Sequence, residues 1–427
     1  MPKILRIINR LNLGGPTFNA ALLTKHLAPN FETMLLAGMK EESEASSEFI
    51  LNKLNIKASY IPNMYRSINP IKDVQAYRHI KKIIKTYKPD IVHTHAAKSG
   101  ALGRLAAAEC GVPVIVHTFH GHVFHSYFGA FKTRFYLEAE RMLAKMSHKI
   151  IAISEKQKHD LTQVYKVCDA DKVGIVPLGF DLSRFEEEQV NKRIEFRRKY
   201  RIADDEIAIG IVGRLVPIKN HGLFLNALAE LKRKTTKKIR AFIVGDGEER
   251  EHIEQLAKDL ELDFLTEKSE ASQTATLTFT SWIKAVDEVY AGIDIVALSS
   301  LNEGTPVSLI EAQAANKAIV STNVGGVTDV VSENKTALLS PTEDVAAYAE
   351  NLLRLVENNA LRERLAANGN RFVAQKYGYQ RLVNDVSSLY YQLLQQAKPD
   401  FSFSPAHKSL IQTANISQVA AQVRSGF

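Results

Sequence analysis

Arg214 and Lys219 share one turn, Gly213-Arg214-Leu215-Val216-Pro217-Ile218-Lys219-Asn220, directly after the apolar run Ile207–Val212. Such a run reads as a buried strand, and in an open parallel sheet ligands bind beyond the carboxyl ends of strands. An arginine fork and a lysine point charge on that loop suit a diphosphate. The same spacing also suits a plain turn with two solvated bases. A second loop, Asn302-Glu303-Gly304-Thr305-Pro306-Val307-Ser308, follows the run Ile293–Leu298. Thr305 is expected to cap a helix that begins at Pro306, whose free amides attract an anion. Glu303 precedes that cap and Glu311 lies inside the helix. Carboxylates accept strong hydrogen bonds from sugar hydroxyls. One glutamate would be explained as a complement to the helix dipole. Two that bracket an anion-binding helix start point to a sugar ligand.

Two further turns follow strand-like runs. Gly14-Gly15-Pro16 comes after Lys3–Asn9, and Val244-Gly245-Asp246-Gly247 ends the run Ile239–Val244. Adjacent glycines let backbone approach a ligand closely. Neither turn is the GxGxxG of dinucleotide enzymes, so a dehydrogenase is disfavoured. His117-Thr118-Phe119-His120-Gly121-His122 lies past another strand, as do His93 and His95, whose spacing of two lets both point the same way. The histidines could bind a metal or place one neutral imidazole beside a ligand. No supporting ligand set is visible, so no metal is expected. Asp169-Ala170-Asp171 reads as a turn near a domain boundary rather than a metal site.

These residues need a frame of alternating strands and helices. Strands are expected at 3–9, 33–37, 90–94, 112–118 and 149–154, with helices at 17–27, 71–87, 99–109 and 131–146. The pattern restarts with strands at 207–212, 239–244, 278–282, 293–298 and 318–322 and helices at 221–234, 248–260, 286–291 and 307–315. That alternation predicts two doubly wound parallel sheets. The expected domains are 1–185, joined by a helix at about 379–395, and 186–378, with 396–427 as a flexible tail. The polar stretch Thr266–Thr276 is expected to be a surface loop.

With 427 residues and 45 % hydrophobic composition, the chain is long enough for two or three domains and is not mainly disordered. Its two cysteines, Cys110 and Cys168, exclude a disulfide framework and suit a reducing compartment. The first residues are too polar for a secretory h-region, and no run reaches the roughly 18 apolar residues that cross a bilayer. A cytoplasmic protein, soluble or peripheral on a membrane, is expected. Residues 1–185 hold 26 Lys and Arg against 15 Asp and Glu, or +11, whereas the remaining 29 against 32 give −3. The first half therefore suits an anionic partner, and a solvated basic face is the simpler alternative. Ile71–Lys88 is basic with an apolar stripe at Ile80, Ile83, Ile84 and Tyr87. Phe128, Phe131, Phe135 and Tyr136 lie among Lys132, Arg134 and Arg141 further on. An anionic membrane surface fits these bases better than nucleic acid does.

The segments GRLVPIKN, VGDGEER and EGTPVSLIEAQAANKAIVSTNVGGVTDVV together resemble the retaining family-4 glycosyltransferases of the GT-B fold. The resemblance covers roughly residues 3–395, and its most specific motif is Glu303 with Glu311 in a Gly-Thr-Pro context. VHTHAAKSGALGRLAAAECGVPVIVHTFHGHVF resembles the members that build bacterial capsule and exopolysaccharide. The resemblance implies two Rossmann-like domains facing across a cleft. It also implies metal-independent transfer of a sugar, with retained configuration, from a UDP- or GDP-linked donor to a lipid-linked or oligosaccharide acceptor. Arg214 and Lys219 would hold the diphosphate, Glu303 the donor sugar and Glu311 the ribose. Gly15, Gly245, Gly304, Thr305, Pro306, Val307 and Ser308 would complete the donor site. His120 would lie near the transferred sugar. Another GT-B enzyme, such as a sugar-nucleotide epimerase, is the alternative; it would lack the Glu303–Glu311 frame. The chain departs from the family at Thr17 in Gly14-Gly15-Pro16-Thr17, where a glutamate is usual, at Leu178 in Pro177-Leu178-Gly179-Phe180-Asp181, where an asparagine is usual, and in the turn before Val286, where Ser281-Trp282 stands in place of a usual glycine.

Overall fold

Each apolar run singled out above forms a strand in the computed structural model, which describes residues 1–11, 15–40, 47–121, 130–270 and 274–399. The chain divides into two compact units, one of Met1–Phe180 with the chain from Tyr377 onward, the other of Asp181–Lys376. The divisions fall five residues before 185/186 and two before 378/379.

The first unit holds β1 (Lys3–Ile8), β2 (Glu32–Gly38), β3 (Ala58–Ile61), β4 (Ile91–His95), β5 (Val114–Thr118), β6 (Lys149–Ala152) and β7 (Val173–Ile175). They form one seven-stranded sheet in the order β3-β2-β1-β4-β5-β6-β7. Every pairing is parallel, with Arg6 beside His93 and Ile8 beside His95 in the β1–β4 register. Strands of such a sheet are covered on both faces, which is why they read as nearly continuous apolar runs. The helix Pro70–Tyr87 turns Ala76, Ile80 and Ile84 into the core and is capped by the Asn69 side chain, which accepts from the Lys72 amide. Its apolar stripe thus packs within the unit, against Leu5, Leu36 and Val92 among others. The helix Tyr379–Ala397 covers the other face, burying Leu382, Val386, Tyr390 and Leu394 against Ile4, Val114 and Ile151. Each large apolar side chain so buried contributes about 1.5–3 kcal/mol.

The second unit holds β8 (Ile207–Val212), β9 (Ile239–Val244), β10 (Phe264–Leu265), β11 (Leu277–Phe279), β12 (Ile295–Leu298), β13 (Ala318–Thr322) and β14 (Leu338–Ser340). Its sheet runs β10-β11-β9-β8-β12-β13-β14, again all parallel. The helices His221–Lys234 and Val345–Glu357 close one face with Phe224, Leu228, Tyr348 and Leu352 fully buried. In each sheet the strand order reverses once, between β1 and β4 and between β8 and β12. Ligands of open α/β sheets bind at such switch points.

The strands absent from the sequence reading are β3, β7, β10 and β14, all of two to four residues and all at or beside a sheet edge. The helices Val345–Glu357 and Asn359–Tyr377 were also not expected. Asp169-Ala170-Asp171 does form a turn: Ala170–Lys172 is a single 3-10 turn leading into β7. The stretch Thr266–Thr276 connects β10 to β11, with residues 271–273 outside the described residues. Gly14, His122, Phe128, residues 400–427 and the side chains of Phe131 and Lys132 also lie outside them.

Candidate functional site

Lys219 and Glu303 come from turns after β8 and β12, the two strands that flank the switch point of the second sheet. Lys219 Nζ donates to Glu303 Oε1 at 2.6 Å. The same oxygen accepts from the Ser300 hydroxyl at 2.6 Å, and Ser299 Oγ donates to the Lys219 carbonyl at 2.9 Å. Ser299 and Ser300 are fully buried. The two turns are further tied by the Leu301 amide donating to the Ile218 carbonyl at 2.9 Å. A cation and a carboxylate are thus fixed side by side, 84 residues apart in sequence.

The turn carrying Glu303 rests on the loop after β13. The Gly326 amide donates to the Glu303 carbonyl at 2.9 Å. A Cβ on Gly325 would lie 2.1 Å from that carbonyl oxygen, and one on Gly326 would lie 1.7 Å from the Gly304 oxygen. Only glycine fits a contact that close, and Gly325 also takes φ +49. Gly304 itself is exposed, with open space around its Cα. Gly245 plays the matching part under the other turn. It adopts φ +146, and a Cβ there would meet the Gly213 carbonyl oxygen at 1.8 Å.

Arg214 is exposed on the β8 turn and makes no ion pair among the described residues. It is not brought to Glu303, whereas Lys219 is. The expected cap at Thr305 does not form. The helix is Val307–Ala314 with Pro306 at the capping position, and no side chain caps it. Pro306 already bends the chain into register there, so the threonine is left one place too early to reach the free amides. Thr305, Val307 and Ser308 are half-buried around that helix start.

Glu311 lies in this helix but is not paired with Glu303. Its carboxylate is 3.7 Å from Arg184 Nη2 and faces the buried Tyr290. Burial pushes its pKa up to about 7, against the opposing pull of Arg184 and Tyr290. Ser281 takes the left-handed conformation with φ +55 and donates to Asp246 Oδ2 at 3.0 Å. That bond recovers part of the strain a glycine would avoid.

In the first unit Gly15 opens the helix Gly15–His26, close to Leu178. His120 follows β5 and meets His95 at 2.9 Å, Nδ1 of His95 to Nε2 of His120. His93 and His95 do point the same way, with rings stacked 4.3 Å apart. Burial first, then neighbouring positive charge, lowers His93 and His95 well below the ordinary histidine range and takes His120 to about 3. All three are therefore neutral at physiological pH. The groups beside them were not foreseen: Arg6 and Tyr390, both fully buried. A charged residue within the apolar run KILRIIN was the available signal, because an unpaired arginine is rarely enclosed on both faces of a sheet. Nothing in its spacing pointed to Tyr390, 384 residues away.

Among the described residues no three His, Cys, Asp or Glu side chains are grouped as metal ligands, and no helix is long and apolar enough to cross a membrane. Cys110 and Cys168 are unbridged.

Comparison with known proteins agrees with this architecture. Residues 14–184 match the model of Glycosyltransferase Family 4, and residues 192–372 match that of Glycosyl transferases group 1. The chain is 27 % identical over 341 residues to the UDP-Gal:alpha-D-GlcNAc-diphosphoundecaprenol alpha-1,3-galactosyltransferase of Escherichia coli, covering 80 % of this chain and 85 % of that protein. It is 24 % identical to the capsular polysaccharide biosynthesis glycosyltransferase CapM of Staphylococcus aureus, over 82 % of this chain and 88 % of the relative. Among solved structures, Anabaena Alr3699/HepE in complex with UDP superposes with a TM-score of 0.75 at 17 % identity, covering 91 % of this chain and all of that one. With one family model matched by each half and the sheets of both units in place, the chain belongs to the family-4, group-1 glycosyltransferases of the GT-B fold.

Proposed function

We propose that the protein transfers a sugar, with retained anomeric configuration, from a nucleotide diphosphate donor to a lipid-linked or oligosaccharide acceptor during bacterial surface polysaccharide synthesis. The observation that carries this reading is the Lys219–Glu303 pair at the switch point of the second sheet. In it Glu303 accepts from donor sugar hydroxyls, while Lys219 and Arg214 hold the diphosphate. Negative charge grows on the departing nucleotide diphosphate, and these cations, with the free amides at Val307 and Ser308, stabilise it where it develops. Glu311 takes the ribose. Within the second unit, Gly245, Gly304, Thr305 and Pro306 bring backbone close to the donor. The Escherichia coli relative, by its name, uses UDP-galactose and a diphosphoundecaprenol-linked acceptor. That supports a UDP-sugar and a polyprenyl diphosphate acceptor here, with GDP-linked donors second.

No metal takes part in this reading, because two cations already serve the diphosphate. The enzyme works in the cytoplasm, peripheral on an anionic leaflet. Exposed Lys72, Arg78, Lys82, Lys85 and Lys88 on and just after the helix Pro70–Tyr87 support that placement. A purified donor screen that reads released nucleotide diphosphate tests the activity, and the anomeric signal of the product in proton NMR tests retention. No release from any UDP- or GDP-sugar with a diphosphoundecaprenol acceptor would end the proposal. Activity abolished by chelator and restored by manganese would remove the metal-free part alone.

A further inference from the structure

We infer that Arg6 is a positioning residue that, through His95, fixes His120 in the tautomer with its proton on Nδ1, leaving that N–H free to donate to an oxygen of the bound substrate. The bond geometry leads there step by step. A guanidinium only donates hydrogen bonds. Arg6 Nη1 lies 3.1 Å from both His93 Nδ1 and His95 Nε2, so both of these nitrogens accept. Tyr390 OH stands 2.5 Å from His93 Nδ1 and receives Arg6 Nη2 at 3.3 Å, so its own proton points at the same histidine.

A neutral imidazole that accepts at one nitrogen donates at the other. His93 therefore carries its proton on Nε2 and donates to Thr118 Oγ1 at 2.7 Å. His95 carries its proton on Nδ1 and donates to His120 Nε2 at 2.9 Å. His120 then accepts at Nε2 and must hold its proton on Nδ1. That nitrogen is enclosed and has no hydrogen-bond partner among the described residues. A buried donor without an acceptor is costly to keep. A substrate oxygen supplies the missing acceptor, and an imidazole already turned to it loses little freedom on binding. Doubly protonated rings would break the relay, since both nitrogens would then donate. Burial and the Arg6 charge suppress that form in His93 and His120.

Arg6, His93, His95, His120 and Tyr390 belong to one unit. The relay itself is independent of the proposed reaction, whereas the identity of the oxygen as a sugar hydroxyl rests on the glycosyl-transfer reading. The test is nitrogen NMR of the full chain labelled at histidine ring nitrogens, with His120 assigned by its loss in His120→Gln. At about pH 8 the wild-type His120 is expected to show a protonated Nδ1 and an unprotonated Nε2. In Arg6→Met, His95 Nε2 loses its fixed donor, so both His95 and His120 move to averaged shifts of two tautomers. Arg6→Lys, which still donates, returns them toward the wild-type pattern. With the donor selected by the nucleotide-release screen, kcat/KM of Arg6→Met falls by about tenfold and Arg6→Lys recovers most of it. A protonated Nε2 on wild-type His120 overturns the relay, even if Arg6→Met fails to fold. An unchanged His120 signal in folded Arg6→Met overturns the role of Arg6. An intact tautomer in a protein that transfers no sugar would refute the glycosyl-transfer reading and leave the relay standing.

Discussion

Glu311→Gln should make the second unit more stable and the enzyme worse. Burial raises the Glu311 pKa from the ordinary 4.5 to about 7, so the native fold resists its ionisation. Below about pH 4.5 both the folded and the unfolded chain hold the proton, and the residue has no pH-linked cost. Between about 4.5 and 7 the unfolded chain ionises and the folded one does not, so folding stability falls as pH rises. Above 7 the cost is complete, and a pKa difference of this size is worth on the order of 3 kcal/mol. Glutamine keeps the shape and cannot ionise. It gives up the Arg184 contact, which at 3.7 Å and with Arg184 40 % exposed is a minor loss.

Glu311→Gln is thus expected to be more stable than wild type by about 1–3 kcal/mol at pH 8 and by almost nothing at pH 4.5. Urea unfolding followed by tryptophan fluorescence reads this directly, because the only tryptophan, Trp282, belongs to the same unit. Donor affinity should fall, since losing a charge-assisted hydrogen bond costs about 1.5–3 kcal/mol, or roughly 10- to 100-fold. Wild-type affinity should also tighten as pH rises through 7, when the carboxylate forms. A variant less stable than wild type at pH 8, or a stability difference that ignores pH, would refute the reasoning. A residue that costs stability where it stands is what a binding site retains for its ligand.

Lys219→Ala is expected to lower turnover by about 100-fold, the scale of losing a group that stabilises transition-state charge, as read by nucleotide diphosphate release. Glu140→Ala strands the fully buried Arg104, whose Nη2 it meets at 2.7 Å. Breaking a buried pair from one side costs about 3–5 kcal/mol, so the thermal transition of the first unit should drop sharply in calorimetry. Lys82→Glu with Lys85→Glu reverses two exposed charges, whereas Lys81 is tied to Glu109 at 2.5 Å and contributes less. Sedimentation with anionic vesicles should fall in the double variant, since each base near the leaflet is worth about 1 kcal/mol. Equal binding to neutral vesicles would identify the basic face as merely solvated.

Much of the frame was legible because both sheets are parallel and covered on two sides. Such strands are mostly apolar, and the runs 3–8, 207–212 and 239–244 carry that signature, whereas 91–95 keeps it only at Ile91 and Val92. Short edge strands such as Val173–Ile175 and Leu338–Ser340 bury fewer side chains and leave almost no pattern. The loops with Arg214, Lys219 and Glu303 could be placed at strand ends from order alone, because a βα connection can only emerge there. Chain order says nothing of which strands become neighbours. β8 pairs with β12 rather than with its successor in sequence beyond β9, and this pairing alone sets Lys219 against Glu303.

The types and order of the elements, the turns that carry charge and the family were determined by local sequence, since each depends on residues close together along the chain. Partner choice was decided only by tertiary structure. Arg6 reads as an interruption of an apolar strand until β4 brings His93 and His95 beside it and the helix Tyr379–Ala397 delivers Tyr390. Glu311 reads as a ligand-binding carboxylate from its place in the helix, but only the packing around it, beside Tyr290, raises its proton affinity. Burial and through-space charge set these properties, and both depend on what the folded sheets place within a few ångströms rather than on distance along the chain.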